Sequence, residues 1–319
     1  MSRRPGREFE ALQAAQARFD MALLLSSASV EITSRGRQVE ELRNAFSPGR
    51  DVTITFLPGD DVRNNVATAA ALRRAGFNPV PHLAAREIAS REALDDFLSR
   101  LRGEADVRRL LVIGGDLARA RGPFKSSQDI CQSGSIEAHG VKAVSLAGYP
   151  EGHPYLDPAG ALASLAARCD WGRAAGVSVS VVLQFCFDGG AIVDWMDALE
   201  KSRIDVPVVV GLAGPANPAR LMKFALRCGV GASLKSLRGQ IGSFGRLLLE
   251  TGPDQVLDDL AMAAAATTPA GLHFFPFGGI GKTAEWIAAR LGREASSGAG
   301  WASSPGEVLV RPSRGPSED

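Results

Sequence analysis

Eight short runs rich in β-branched and aliphatic residues, most of them separated by stretches with helical spacing, constrain this chain more than any other feature. The runs are Ser29–Thr33, Val52–Phe56, Pro79–Leu83, Leu110–Ile113, Ala143–Ala147, Val177–Phe185, Val206–Leu212 and Leu272–Phe277. Helical patterns fall at Asp61–Ala75, Ser90–Leu101, Leu162–Ala175, Ile192–Lys201, Pro218–Cys228 and Asp254–Ala266. Strands that alternate with helices pair in parallel, because each crossover returns the chain to the same edge. Eight such repeats in 319 residues predict one closed (β/α)8 barrel of the TIM type. An open doubly wound sheet is the competitor, and it carries a glycine fingerprint after its first strand. Here Glu31 is followed by Ile-Thr-Ser-Arg-Gly-Arg, which makes no GxGxxG. The barrel is assigned to residues 20–292, with an N-terminal extension at 1–19 and a flexible Ser/Gly/Pro-rich tail at 293–319.

Charge excludes several function classes. The chain has 36 Lys+Arg against 35 Asp+Glu, so no global field favours nucleic acid or an anionic membrane. Its longest apolar stretches, such as Met21–Leu25 and Ala261–Ala266, fall far short of the roughly 18 residues needed to span a bilayer. The basic start, Met1-Ser-Arg-Arg-Pro-Gly-Arg-Glu, adjoins no apolar segment of a secretory signal. Four scattered cysteines (Cys131, Cys169, Cys186 and Cys228) form no CxxC pair, which argues against a disulfide framework or zinc site. A cytoplasmic, reducing location is the expectation.

In a barrel the chemistry sits at the carboxyl ends of the strands, where the loops share one mouth. Glu31 is either an exposed carboxylate paired with Arg35 or Arg37, or a partly buried general acid whose pKa desolvation raises. Asp116 closes Leu110-Leu-Val-Ile-Gly-Gly-Asp, where two glycines admit a ligand close to the backbone and the carboxylate accepts from ring N–H groups. A plain Gly-Asp turn explains the same residues. His82 and His153 are two of the four histidines and lie at strand ends. Without HxH or HExxH spacing they point to no metal. Tyr149-Pro-Glu-Gly-His-Pro154 is a proline-stiffened loop offering stacking, acceptor and donor groups within five residues. Gln184, an amide in an otherwise apolar run, either serves a heterocycle or bonds a neighbouring loop. Phe277-Gly-Gly-Ile-Gly-Lys-Thr283 suggests a phosphate loop, but position 276 is proline where that motif needs glycine.

Taken in order, these segments resemble the methylenetetrahydrofolate reductase family across residues 20–292. Ser29-Val-Glu-Ile32 is similar to the family's Ser-Phe-Glu-Phe, which places Glu31 on its catalytic glutamate. Val52-Thr-Ile-Thr-Phe56, Pro81-His-Leu83 and Gly115-Asp116 match the ends of its second, third and fourth strands. Gly148-Tyr-Pro-Glu-Gly-His-Pro154 resembles Ala-Tyr-Pro-Glu-x-His-Pro, the most specific match. Gln184-Phe-Cys-Phe-Asp188 and Gly271-Leu-His-Phe-Phe275 resemble Gln-Phe-Phe-Phe-Asp and the final His-Phe-Tyr. The departures lie on the cofactor side. Gly114 stands where the family has arginine, Arg168 where it has lysine, and Ser164 and Ala167 where it has Asn and Arg. The aromatic residue after the seventh strand is replaced within Gly214-Pro-Ala-Asn-Pro218, and the usual Leu-Asn-Arg by Phe277-Gly-Gly279.

The resemblance implies an NAD(P)H-dependent oxidoreductase interconverting 5,10-methylenetetrahydrofolate and 5-methyltetrahydrofolate in one-carbon metabolism and methionine biosynthesis. Glu31 is then the catalytic acid, and Asp116 and Gln184 bind folate. Thr55, His82, Asp116, Tyr149, His153 and Arg168 would contact FAD, weakly held or absent. Partners are a folate and NADH or NADPH, with no nucleic acid, membrane or metal; self-association stays open. The rivals are a flavin-independent reductase with direct hydride transfer, a pterin-binding methyltransferase-type barrel and a non-catalytic folate binder.

Overall fold

In a computed structural model of the protein, residues 21–152, 157–230, 252–263 and 268–297 are described. The strands are β1 (Ser29–Thr33), β2 (Asp51–Thr55), β3 (Asn78–Ala84), β4 (Arg109–Ile113), β5 (Ala143–Gly148), β6 (Ser178–Leu183), β7 (Val208–Ala213) and β8 (Gly271–Phe275). They are parallel and close in sequence order, with β8 pairing back onto β1. The (β/α)8 barrel expected from the alternation is the fold. Around the strands lie α1 (Gln38–Ala45), α2 (Val62–Arg74), α3 (Arg91–Ala105), α4 (Ser127–Cys131), α5 (Ser135–Ala138), α6 (Pro158–Ala175), α7 (Gly189–Lys201), α8 (Pro218–Arg227), α9 (Asp254–Ala263) and α10 (Ile280–Ser297).

Side-chain alternation decides which groups reach the interior. In β1, Val30 and Ile32 are fully buried in the apolar core, which leaves Ser29, Glu31 and Thr33 on the opposite face. In six of the described helices a side chain at the N-cap accepts from a first-turn N–H group, Ser126 among them, from Asp129 N (3.4 Å). Asp61 accepts from Arg63 N (2.8 Å), Ser90 from Ala93 N (3.2 Å), and Asp157 from Gly160 N (2.8 Å). Asp188 accepts from Gly190 N (2.9 Å) and Asn217 from Ala219 N (2.8 Å). Pro158 and Pro218 then open α6 and α8, where a missing N–H costs nothing.

Two strands end earlier than their apolar runs suggest. β6 stops at Leu183, so Gln184-Phe-Cys-Phe187 forms the loop that leads to the Asp188 cap. β8 stops at Phe275 because Pro276 offers no N–H to continue the ladder. Phe277 N instead donates to Phe275 O (2.7 Å) and Gly279 N to Pro276 O (2.9 Å), a tight turn into α10. Helix α1 and the short α4 and α5 carry too few apolar residues to stand out in the sequence.

Phe274 on β8 is fully buried, its ring 5.9 Å from that of Trp286 on α10. Phe274→Ala should cost about 3–5 kcal/mol, the range for emptying a large aromatic site in a packed core. Denaturant titration checks this, and a loss below about 1 kcal/mol would mean the strand–helix layer refills the space.

Candidate active site

Glu31 lies inside the barrel, and the ring closure brings three other strands to it. Its Oε2 is 3.3 Å from His82 Nε2 on β3 and 3.9 Å from His273 Nε2 on β8. Register explains the second contact: Ser29 pairs with His273 across the β1–β8 seam, and Glu31 pairs with Thr53 of β2. Thr53 Oγ1 is 3.5 Å from the same His273 Nε2. Ser29 Oγ holds the ring's other nitrogen, Nδ1, at 2.8 Å and reaches Leu272 O at 3.3 Å. The Phe275 ring meets the imidazole edge-on, 4.9 Å between centroids. Side-chain exposure is 18% for Glu31, 7% for His82 and 0% for His273, so the cluster opens to the mouth through the carboxylate.

This geometry corrects the surface-pair reading of Glu31 and, in the partly buried reading, the direction of its pKa shift. Arg35 does not pair with it, because its guanidinium is taken by Asp60, with Nε donating to Oδ1 at 2.8 Å. Nor is the carboxyl pushed up. Burial works in that direction, but hydrogen bonding and charge from His273 and His82 outweigh it and hold the group well below the usual carboxylate range.

Of the other expected site residues that are described, Thr55, His82, Asp116, Tyr149 and Gln184 lie on or just past β2–β6, and Arg168 lies on α6. Thr55 ends β2, and its Oγ1 is buried without a hydrogen-bond partner. His82 makes no aligned hydrogen bond through either nitrogen, although Nε2 faces Glu31. Asp116 is exposed, just after Gly115 turns the chain at φ 87°. Tyr149 is half-buried at the end of β5; burial raises its phenol pKa, with Arg168, Asp116 and Arg86 as nearby charges. Gln184 N donates to Gly148 O (2.8 Å), and its Oε1 accepts from Phe185 N (3.2 Å), which turns the amide into the loop after β6. Arg168 on α6 donates to Ser127 Oγ (2.6 Å) and Ser164 O (3.0 Å). His153 lies outside the described residues. Past β6 and β8, Phe185, Phe275 and Phe277 form an aromatic cluster, on which Phe224 of α8 stacks against Phe277 at 4.2 Å.

Ser29, Thr53 and His273 belong to the same cluster as Glu31 and were not among the site residues read from the sequence. A histidine inside an apolar final strand is the one signal that points to them, since a fully buried imidazole needs partners. Among the described residues no group of three or more His, Cys, Asp or Glu could hold a metal ion, and no helix is long and apolar enough to cross a membrane.

Fold and site together define a parallel (β/α)8 barrel with a carboxylate–imidazole cluster at its mouth. The chain belongs to the methylenetetrahydrofolate reductase family, whose model matches residues 31–233. It is 29% identical over 176 residues to a 5,10-methylenetetrahydrofolate reductase from Pectobacterium carotovorum subsp. carotovorum, covering 54% of this chain and 56% of the relative. The match thus spans about half the length of that curated relative. In fold the chain is similar to an uncharacterized protein from Clostridium thermocellum that binds two copies of 5-methyl-5,6,7,8-tetrahydrofolic acid. That likeness has a TM-score of 0.53 at 10% identity and covers 88% of this chain and 99% of that one.

Proposed function

We propose that the protein interconverts 5,10-methylenetetrahydrofolate and 5-methyltetrahydrofolate by hydride transfer, with NADH or NADPH as the reductant. The observation that carries this reading is a carboxylate, Glu31, set inside the mouth between two imidazoles in a chain of this family. In the reducing direction Glu31, ionised at rest, takes up a proton from solvent at the mouth and delivers it to N10 of the folate, and the bond from N10 to the bridging carbon breaks. That carbon becomes an iminium on N5, and the arriving hydride turns it into a methyl group. One proton and one hydride are consumed, which balances the step. In the oxidising direction Glu31, as an ionised carboxylate, takes the proton back. Asp116 and Gln184 are assigned to the pterin edge, where a carboxylate and an amide match its donors and acceptors.

The ring side of a flavin site fits the residues present. Thr55 Oγ1 and the His82 nitrogens are buried polar atoms without aligned hydrogen bonds, and Tyr149, past β5, lies within charge range of Asp116, past β4. On the phosphate side Gly114 supplies no cation, and Arg168 is already engaged by Ser127. FAD is therefore the proposed cofactor, which Thr55, His82, Asp116, Tyr149, His153 and Arg168 would hold weakly and which, once reduced by NADH or NADPH, would supply the hydride.

The test is consumption of NADH or NADPH that depends on 5,10-methylenetetrahydrofolate, with 5-methyltetrahydrofolate identified by chromatography, with and without added FAD. Binding of the folate with no product under any of these conditions would reduce the protein to a folate-binding relative. Gln184→Ala should weaken folate binding by about 1–3 kcal/mol, the cost of leaving ring groups unpaired, without altering a flavin spectrum. Calorimetry with 5-methyltetrahydrofolate reads this directly, and unchanged affinity would return Gln184 to its loop-bonding role.

A further inference from the structure

We infer that His273 is a positioning residue for Glu31, anchored through Ser29 so that its Nε2 engages Oε2 and leaves Oε1 as the oxygen that exchanges a proton with substrate. The inference deepens the proposed reductase reading and rests on it. Three observations support it.

Both imidazoles approach the same carboxylate oxygen: His82 Nε2 at 3.3 Å and His273 Nε2 at 3.9 Å from Oε2. Two rings packed against one oxygen narrow the rotation of the carboxylate about its terminal bond, which in a solvated glutamate is broad and roughly two-fold. The proton exchange is assigned to the other oxygen, Oε1. A general acid must sit within hydrogen-bond reach of the atom it protonates, so a restricted carboxylate plane bears directly on rate.

The two rings are held differently. His82 makes no aligned hydrogen bond, whereas His273 has a partner on each nitrogen. Ser29 Oγ is within 2.8 Å of Nδ1 and 3.3 Å of Leu272 O. With its hydrogen directed to Nδ1, the hydroxyl donates to the ring and leaves the proton on Nε2, which faces Glu31 and Thr53. A fully buried ring pinned in this way cannot swing to follow solvent or ligand, so it sets the frame for Glu31.

Charge points the same way. Glu31 is held ionised below the ordinary carboxylate range, and His273 contributes to that effect through both hydrogen bonding and charge. The titratable groups around the cluster are His82 from β3, Asp116 beyond β4 and Cys228 beyond α8, the last of which burial and the charges of Glu31 and Asp116 push up to about 11. None of these faces Glu31 from β8, so His273 is the ring whose removal frees that side.

The test compares His273→Leu, His273→Gln and Ser29→Ala in the full chain, with thermal melting as the check on folding. His273→Leu should lower kcat by about 10- to 100-fold with little change in KM for folate, the scale of loss when a catalytic group is misplaced by about 1 Å. His273→Gln retains an N–H donor toward Oε2 and should restore most of that loss. Ser29→Ala leaves the ring in place but unpinned, and should give an intermediate loss of kcat. The carboxyl carbon of Glu31, followed by NMR through a pH titration, should show its midpoint moving to higher pH in His273→Leu, because burial then acts with one fewer opposing contact. Equal losses in the Leu and Gln variants, or a Glu31 titration that does not move, would overturn the inference. If His273→Leu fails to fold, the Ser29→Ala variant carries the test, and wild-type kcat and an unmoved titration in it overturn the proposal. Because the titration needs no turnover, a wild-type protein that shows the coupling yet reduces no folate sinks the reductase reading alone.

Discussion

Glu31→Gln should lower folate turnover by about 10²–10⁴-fold, the range for removing a general acid, while the fold and folate affinity stay in place. The expectation follows from where the carboxylate sits. Its partners are two imidazoles, and an amide of the same shape keeps a polar group against both of them. The amide cannot release or take up the proton that the ring opening needs. The loss should therefore fall on kcat and leave KM for the folate near its wild-type value, the pattern of an interaction made only in the transition state. Steady-state kinetics at neutral pH, with binding measured separately by calorimetry, distinguish the two parameters. Turnover within a few-fold of wild type would remove Glu31 from the chemistry, and Asp116 would then be the remaining carboxylate named at the mouth. A large rise in KM at constant kcat would instead make Glu31 a binding residue.

The second large effect is a gain. Gly114→Arg should tighten FAD binding by about 10- to 150-fold. Each charge-assisted hydrogen bond contributes about 1.5–3 kcal/mol, and about 1.4 kcal/mol is tenfold in affinity. The position accepts a side chain: a Cβ built on Gly114 meets nothing within 4 Å. Neighbouring Gly115 is different, because its φ of +87° belongs to glycine and a Cβ there comes within 3.3 Å of Ala84 Cβ. The substitution thus restores a cation at the phosphate side without disturbing the turn that presents Asp116. Quenching of flavin fluorescence in titrations of both proteins gives the two affinities. Equal affinities would show that the phosphates do not lie along the strand β4 end. If neither protein binds FAD in a saturable way, flavin leaves the proposal and nicotinamide passes hydride directly to the folate.

Much of the architecture was legible because it is local. Period-two runs and helical spacing marked strands and helices, and eight repeats implied closure before any contact was known. What escaped notice depended on single residues or on distant pairing. The missing N–H of Pro276 ended β8, and the Asp188 cap turned Gln184–Phe187 from strand into loop. For the site, Glu31, His82 and Thr55 announced themselves as polar residues at strand ends, but not who faced whom. Ser29 and His273 are 244 positions apart, and only the β1–β8 register makes them neighbours. The direction of the Glu31 shift was misread for the same reason. Burial is visible in an apolar strand, whereas two imidazoles arriving from β3 and β8 are not. Arg168 illustrates the remaining gap: its place in the helix was readable, but its grip on Ser127 belongs to the short α4, which the sequence pattern did not reveal.

The seam between β1 and β8 has a consequence for biosynthesis. Glu31 is made early by the ribosome, but one wall of its surroundings, His273, is among the last strand residues to emerge. Chains elongate at about 5–20 residues per second, so the carboxylate waits for about ten seconds or more before its β8 partner exists. A nascent or truncated polypeptide lacking β8 carries the acid group without the frame that tunes it. The pairing of His273 with Glu31 therefore arrives together with ring closure.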